Sequence, residues 1–132
     1  MNPLVLQLFQ TNRSISQQLN EVLKPFELFH SQWTILYLLQ RQGAMTLTDI
    51  WQQLHVEAPT VTRTVNRLEV LGWVERRQGA DQRAKIIALT AWADEKLPAV
   101  AAAVKQYEMR ISQHLCADEQ QQLLHLLQKM KG

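Results

Sequence analysis

Two helical patterns separated by only four residues constrain the fold of this chain most strongly. Thr46 and Asp49 are spaced as in a capping box, which predicts a short helix that continues to Leu54. Residues 55–58 then make a tight connection. Pro59 suits the first turn of a second helix, because its missing N–H would have no partner there. The pattern predicts a helix-turn-helix.

The second helix, residues 59–71, has two faces of different chemistry. One face is mostly apolar and carries Val61, Thr64, Val65, Leu68 and Leu71. The opposite face has no acid and carries Thr62, Arg63, Asn66, Arg67 and Val70. Arg and Asn can bind base edges in bidentate fashion, Thr offers a hydroxyl and a methyl, and the major groove of DNA admits one helix. The outer face is therefore typical of a recognition helix.

Two short segments with strand composition follow this helix. Residues 73–77 (WVERR) and 84–89 (AKIIAL) flank a stretch that contains Gly79, which predicts a hairpin with a polar, basic tip. A helix-turn-helix followed by such a hairpin is a winged helix-turn-helix. We therefore predict a mainly α fold with a small β-hairpin wing. It forms one domain, since 132 residues are too few to expect two.

The positive charge of the chain is concentrated in the same region. The formal net charge is +2, but residues 58–85 hold six basic and three acidic side chains, whereas the rest of the chain holds eight and nine. Such a patch favours a polyanion as partner, because neutralised phosphates release condensed counterions. On charge alone, a solvated basic face is an equally good interpretation.

Helical patterns also occupy both ends of the chain. Apolar residues from Val5 to Val22 recur at helical spacing and stop at Lys24, because the Pro25 that follows disfavours helix in the residue before it. A further helix, residues 31–42, ends at Gly43. These patterns predict two helices ahead of the helix-turn-helix pair, the second of them directly adjoining it.

Two more helices are predicted after the hairpin. Thr90 opens a long helix in which we expect a bend at Pro98. Asp118 with Gln121 predicts a capping box for a last helix. The longest apolar run is short and the N-terminus is a poor signal peptide, so we expect a cytoplasmic protein.

The chain resembles the MarR family (multiple antibiotic resistance regulators) over nearly its whole length. The matching segments are SQWTILYLL, TLTDI, PTVTRTVNRLEVLGWVERR and DQRAK running into Leu89-Thr90. The resemblance implies a transcriptional regulator, expected to be a repressor, that binds a pseudo-palindromic DNA operator as a homodimer. It also implies that residues 31–90 form the DNA-binding lobe and that residues 1–30 and 91–132 form the dimer body. The apolar stripes at both chain ends agree with a dimer.

The same resemblance, with the polar helix face, predicts the DNA contacts. The recognition helix in the major groove and the wing in the minor groove would supply Thr60, Thr62, Arg63, Asn66, Arg67, Arg77, Arg83 and Lys85. Asp81 is placed to orient Arg83. Ala58 is a poor N-cap, so we expect the N–H groups of Thr60 and Val61 to remain available for a phosphate.

Several residues depart from the family pattern. Gln82 replaces the first of two adjacent wing arginines, which predicts reduced minor-groove affinity. Trp51 stands where a small residue is usual, so it must turn outward or widen the helix crossing. His55 occupies a turn position that is often Gly, and His tolerates a left-handed backbone better than most residues.

A small aromatic or phenolic effector is a further expectation from the family. His30, Trp33 and Tyr37 lie near the expected junction of the dimer body and the DNA-binding lobe. Core packing of Trp33 and Tyr37 is the favoured alternative to a role in binding.

Other functions have less support in the sequence. The four histidines and Cys116 match no closed zinc site, and an inert or buried thiol is the preferred interpretation of Cys116. The absence of a glycine-rich phosphate loop, a GxSxG motif or a suitable carboxylate pair predicts no enzyme and no cofactor. Two alternatives stay open: a winged-helix module that binds another protein, and a ligand sensor that has lost DNA binding.

Overall fold

The computed structural model describes residues 1–80 and 84–131, and this part of the chain contains six α-helices and one antiparallel hairpin. The helices are α1 Pro3–Leu23, α2 His30–Gln42, α3 Leu47–Leu54, α4 Ala58–Leu71, α5 Ala91–Ser112 and α6 Ala117–Met130. The strands are β1 Val74–Gln78 and β2 Lys85–Leu89, and a 3₁₀ turn, Lys24–Phe26, follows α1. The predicted fold class, a mainly α winged helix-turn-helix with a small hairpin, is confirmed.

Local signals in the sequence account for most of the helix ends. The Thr46 side chain accepts a hydrogen bond from the backbone N–H of Asp49 at 3.1 Å, so it caps α3. Gly43 follows α2 with a φ of 80°, and Gly72 follows α4 with a φ of 90°. Both are backbone conformations in which glycine has no steric cost. At the end of α3 the same role falls to His55, whose φ of 55° confirms the predicted left-handed turn.

The start of α6 differs from the prediction. The cap is Cys116 with Glu119, two residues ahead of the predicted pair of Asp118 and Gln121. The N–H of Cys116 donates to Oε1 of Glu119 at 2.9 Å, and this hydrogen bond holds the pKa of the Glu119 carboxyl below its ordinary value. Glu119 reaches back to the N-cap as the third residue of a capping box, a position that Gln121 cannot take once the helix begins at Ala117. The Cys116 thiol is exposed, so the alternative of a buried thiol is wrong.

One hydrophobic core joins the helices and the hairpin. The side chains with no exposed surface come from five helices and from the hairpin, and include Leu23, Leu36, Ile50, Val65, Leu68, Ile87 and Leu97. Trp51 is half-buried and packs against this core, so α3 accommodates the large side chain without turning it into solvent. Pro98 lies inside the uninterrupted helix α5. Burial of this apolar surface, at about 25 cal/mol per Å², is the main force that positions the helices.

One residue outside the two strands also pairs with the hairpin, and the sequence did not predict this isolated bridge. Met45, between α2 and α3, pairs with Ile87 of β2 through two hydrogen bonds, N–H of Met45 to O of Ile87 at 3.0 Å and N–H of Ile87 to O of Met45 at 2.7 Å. The strand β2 therefore lies between β1 and Met45. A single paired residue has no periodic pattern, which is why it was missed.

The helix α6 contributes nothing to the core. All of its residues, 117–130, are described, and none of them is buried. Its exposed apolar side chains are Leu123, Leu124, Leu126, Leu127 and Met130, and α1 exposes Leu4, Leu6 and Phe9. Together with the end of α5, these two helices enclose an open groove of about 880 Å³. None of the helices in the described ranges is long and apolar enough to cross a membrane.

Candidate nucleic-acid interface

The start of α4 corrects one prediction. The N-cap is Glu57, one residue earlier than expected, and its carbonyl accepts the N–H groups of Thr60 at 3.1 Å and Val61 at 3.2 Å. The expectation that these two amides are left for a phosphate is therefore wrong. Pro59 has no N–H that needs an acceptor, and the next two amides of α4 both donate to the Glu57 carbonyl.

The two predicted faces of α4 are confirmed. Val61, Val65 and Leu68 are buried against the core, whereas Arg63, Asn66, Arg67 and Val70 are exposed. The hydroxyls of Thr62 and Thr64 donate to the carbonyls of Ala58 and Thr60, both at 2.9 Å. Each hydroxyl oxygen therefore has its proton committed to the backbone and presents only acceptor capacity to a neighbour.

The guanidinium groups of Arg63 and Arg67 retain unused donors. Arg63 makes one long hydrogen bond, from Nη2 to Oγ1 of Thr60 at 3.5 Å. Arg67 has no hydrogen bond or ion pair with any residue in 1–80 or 84–131. A guanidinium has five N–H donors, so both side chains can still bind acceptors outside the protein.

Arg76 of β1 is a member of this surface that sequence analysis missed. Its Nη2 donates to Oδ1 of Asn66 at 2.5 Å, and its Nε lies 3.4 Å from Oε1 of Glu69. The guanidinium thus bridges two side chains one turn apart on α4. Strand alternation could have found it, because Arg76 lies on the same side of β1 as the buried Val74 and therefore faces the helix.

Arg77 lies on the other side of the same strand. It pairs with Glu75, with Nε donating to Oε1 at 2.8 Å, and both side chains are about half exposed. Lys85 is exposed and faces Gln78 at the last pair of the hairpin, next to the tip. The predicted wing residues Asp81, Gln82 and Arg83 lie outside the described residues.

The two acids described in this region, Glu69 and Glu75, are each paired with a neighbouring arginine. Glu69 is bonded to Arg76 and Glu75 to Arg77. Among the residues described between 58 and 85, the cations without an acidic partner are Arg63, Arg67 and Lys85. The surface keeps a net positive charge on the outer face of α4 and at the wing, and it can attract phosphates there.

The predicted effector residues are divided between two places. Trp33 and Tyr37 line an open groove of about 530 Å³ against α5, beside Lys105. His30 instead lines a smaller cavity of about 180 Å³ between α2 and α4. His30 and Tyr37 are seven positions apart on α2, about 10 Å along its axis, and residues of α4 line the cavity at His30 whereas residues of α5 line the groove at Tyr37.

The core-packing alternative, which covered Trp33 and Tyr37, holds for only one of them. Trp33 is 8% exposed and belongs to the core, as that alternative predicted, whereas Tyr37 is 43% exposed, so core packing is wrong for Tyr37. Their ring centroids are 6.2 Å apart, within the range of an aromatic pair. The described residues contain no group of three or more His, Cys, Asp and Glu that could hold a metal ion.

A short helix, a tight left-handed turn, an exposed basic helix and an adjoining hairpin define a winged helix-turn-helix protein. Comparison with known proteins gives its family. Residues 28–85 match the model of the MarR family. The chain is 42% identical to YwoH, an uncharacterized HTH-type transcriptional regulator of Bacillus subtilis (strain 168), over 93% of this chain and 90% of that protein. The protein belongs to the MarR family of transcriptional regulators.

Solved structures of the family have the same fold. A cysteine mutant of MarR from E. coli in complex with operator DNA has a TM-score of 0.88 and 27% identity, over 98% of this chain and 94% of that one. Wild-type apo MarR from E. coli has a TM-score of 0.80 at 27% identity, with 98% of both chains covered. Overoxidized AbfR bound to DNA has a TM-score of 0.80 at 28% identity, over 98% and 90%. Of the two MarR structures, the one with operator DNA resembles this chain more.

Proposed function

We propose that the protein is a homodimeric repressor that acts by occupying a pseudo-palindromic double-stranded operator. In this proposal α4 lies in the major groove and the hairpin β1–β2 reaches the minor groove. The observation that carries it is the outer face of α4, on which Arg63, Asn66 and Arg67 are exposed. These side chains are suited to base edges and phosphates.

The charge distribution supports DNA over a protein partner. A winged-helix module that binds protein would more often have an apolar or acidic outer face. Here Glu69 and Glu75 are paired with arginines, while Arg63, Arg67 and Lys85 have no acidic partner among the described residues. Cations of this kind release counterions from DNA, so binding should weaken steeply as salt rises.

The dimer body in this proposal consists of residues 1–30 and 91–132, and residues 31–90 form the DNA-binding lobe. The exposed leucines of α6 and the apolar residues of α1 support it, because so much exposed apolar surface is unusual in a monomer. Two recognition helices related by a dyad would read half-sites about 10 to 10.5 base pairs apart, roughly 34–36 Å.

A small aromatic or phenolic effector is the ligand that we propose for the groove between α2 and α5. Trp33 and Tyr37 supply aromatic surface there, and Lys105 and Glu108 supply one charge of each sign to which polar groups of such a ligand can bond. His30 lines a separate cavity, so it is not part of the proposed effector site. As a regulator of transcription, the protein would act in the cytoplasm, where its DNA is.

The primary test is a selection of random duplex DNA by the purified protein at two salt concentrations, with the oligomeric state measured in parallel. We expect an enriched inverted repeat bound by a dimer. Binding without an enriched motif would reduce the proposal to a non-specific basic patch. A protein that binds no duplex at all would favour the protein-interaction module or the sensor that has lost DNA binding.

Two substitutions test the assigned DNA contacts. Arg63→Ala should lose about 1–3 kcal/mol of binding free energy at one base position and relax specificity there. An equal loss across all operator variants would remove the base-reading role of Arg63.

Arg83→Ala, in the wing outside the described residues, should lower the salt dependence and the A·T preference. An unchanged salt slope would contradict a role for Arg83 in the minor groove.

A further inference from the structure

Asn66 lies on the outer face of α4 and is hydrogen-bonded to the wing. Its Oδ1 accepts a hydrogen bond from Nη2 of Arg76 at 2.5 Å. The two residues are ten positions apart in the chain and lie on different elements. The link therefore connects the base-reading surface of the helix directly to β1.

The chemistry of the pair determines which way the Asn66 amide faces. A guanidinium has only donors, so the amide must turn its oxygen toward Arg76 and its NH₂ group away. This assignment follows from the partner, although oxygen and nitrogen of an amide look alike in shape. Within residues 1–80 and 84–131 the amide nitrogen of Asn66 donates to no group. Two N–H donors are left unused.

Arg76 is itself held in place. Its Nε lies 3.4 Å from Oε1 of Glu69, one turn after Asn66 on α4. The Arg76 side chain is 25% exposed, against 54% for that of the neighbouring Arg77. A guanidinium fixed at two points and partly covered has less freedom to release Asn66 than an extended surface arginine.

We propose that Arg76 is a specificity-determining positioning residue that converts Asn66 from an adenine reader into a donor for guanine. This inference rests on the proposed function, DNA binding through α4. A free Asn reads adenine in bidentate fashion, with Oδ1 accepting from N6–H and Nδ2 donating to N7. Because Oδ1 already accepts from a charged donor, an adenine amino group would have to approach beside the guanidinium. Guanine presents only acceptors, N7 and O6, at the same edge, and these match the free NH₂ group of Asn66.

Arg77 provides a matched control for this role. It adjoins Arg76 on β1 and has the same charge, but it pairs with Glu75 of its own strand. Arg76→Ala and Arg77→Ala therefore remove equal charge from the wing, while Arg76→Ala alone frees the Asn66 oxygen. Arg76→Lys serves as the conservative variant, because an ammonium can still donate to Oδ1 of Asn66 although it cannot bridge to Glu69 as a fork.

The experiment is competition binding of the full-length protein to its selected operator and to variants with each base exchanged in both half-sites. Arg76→Ala should raise the affinity for adenine relative to guanine at one position of each half-site by about fivefold or more. Arg77→Ala should weaken binding to every sequence alike, and Arg76→Lys should retain the guanine preference. In an Asn66→Ala background, Arg76→Ala should leave the preference at that position unchanged. Circular dichroism of each variant establishes that it is folded.

Three results would overturn the inference. Arg76→Ala could weaken all sequences by the same factor, as Arg77→Ala does. The preference could shift just as far in the Asn66→Ala background, so that Asn66 would not be the mediator. Asn66→Ala could leave every base preference as it was. Failure of the wild-type protein to select any inverted repeat would instead defeat the proposed function, so the two failures are distinguishable.

Discussion

At the scale of single residues, His55 has a strained backbone conformation in the turn between α3 and α4. It ends α3 in the left-handed region with a φ of 55°, where every side chain but glycine is strained. The tight connection between α3 and α4 requires this conformation. The sequence is therefore not optimised for stability in the turn between α3 and α4.

Replacing His55 by glycine should stabilise the protein. His55→Gly removes a left-handed penalty of about 1–2 kcal/mol, partly offset by the greater entropy of glycine in the unfolded chain, so we expect a net gain of roughly 0.5–1 kcal/mol. The measurement is the free energy of unfolding in urea. His55→Val is the control and should be destabilised, because a β-branched side chain tolerates positive φ poorly. Equal stability of all three proteins would show that the turn carries no strain.

Tyr107 provides a prediction about pH. It is 4% exposed, its hydroxyl donates to Oε1 of Gln18 at 2.7 Å, and burial raises its pKa although the nearby Arg110 lowers it. The folded state therefore favours the neutral phenol. Its contribution to stability is complete below the unfolded pKa of about 10 and is lost as pH rises through the higher folded pKa.

The corresponding substitution is Tyr107→Phe. At neutral pH the loss of the hydrogen bond to Gln18 should cost about 0.5–1.5 kcal/mol. Between pH 9 and 11 the wild-type protein should lose more stability than Tyr107→Phe, so the difference between them should shrink. Urea unfolding at a series of pH values measures both. A difference that stays constant over this range would contradict the pKa shift.

At the scale of elements, Thr90 joins the end of α4 to the start of α5. Its Oγ1 accepts from the N–H of Ala93 at 3.1 Å, which caps α5, and donates to the carbonyl of Gly72 at 2.6 Å, which lies at the end of α4. One side chain thus satisfies groups on two helices. This explains in physical terms why a threonine suits the boundary between wing and α5.

Thr90→Ala should therefore cost more than an ordinary cap substitution. We expect a loss of roughly 1.5–2.5 kcal/mol, the cap together with the second hydrogen bond. Thr46→Ala is the matched control, because Thr46 caps α3 through one bond to Asp49 and should cost about 1 kcal/mol. Thermal and urea unfolding compare the two, and Thr90→Ser should recover most of the loss. Equal losses for Thr90→Ala and Thr46→Ala would show that the bond to Gly72 contributes nothing.

At the scale of the whole molecule, the distribution of apolar surface is unequal. Helices α1 to α5 and the hairpin share one hydrophobic core, while α6 has no buried residue. A helix of this length with a leucine-rich face is not expected to stay solvated. The proposed dimer gives that surface a partner of the same chain.

Charges placed on α6 should therefore separate the dimer. Leu124→Glu combined with Leu127→Glu should give a monomer in analytical ultracentrifugation, because a buried unpaired carboxylate is costly. We expect binding to the full operator to fall steeply while weak binding to a single half-site persists. Gln121→Glu with Gln128→Glu adds the same charge at polar positions of α6 and should leave the dimer intact. An unchanged sedimentation coefficient for the leucine variant would place the dimer contact elsewhere.

Local physics made much of this protein predictable. Caps and periodicity act within about four residues, so the helices, the two faces of α4, the left-handed His55 and the hairpin all follow from short segments of sequence. The predicted start of α6 is wrong because two capping patterns overlap there, Cys116 with Glu119 and Asp118 with Gln121.

Other features were decided only by the tertiary structure. Three features depend on how elements pack together: the bond of Arg76 to Asn66, the pairing of Met45 with Ile87, and the placement of His30 and Tyr37 in different cavities. Met45 and Ile87 are distant in sequence and share no local pattern, so only burial of a common core brings them together. Sequence alone thus determined the elements and the family of this protein, because those signals are local. Packing decided which polar groups on the outer face of α4 remain free, because that depends on contacts between elements.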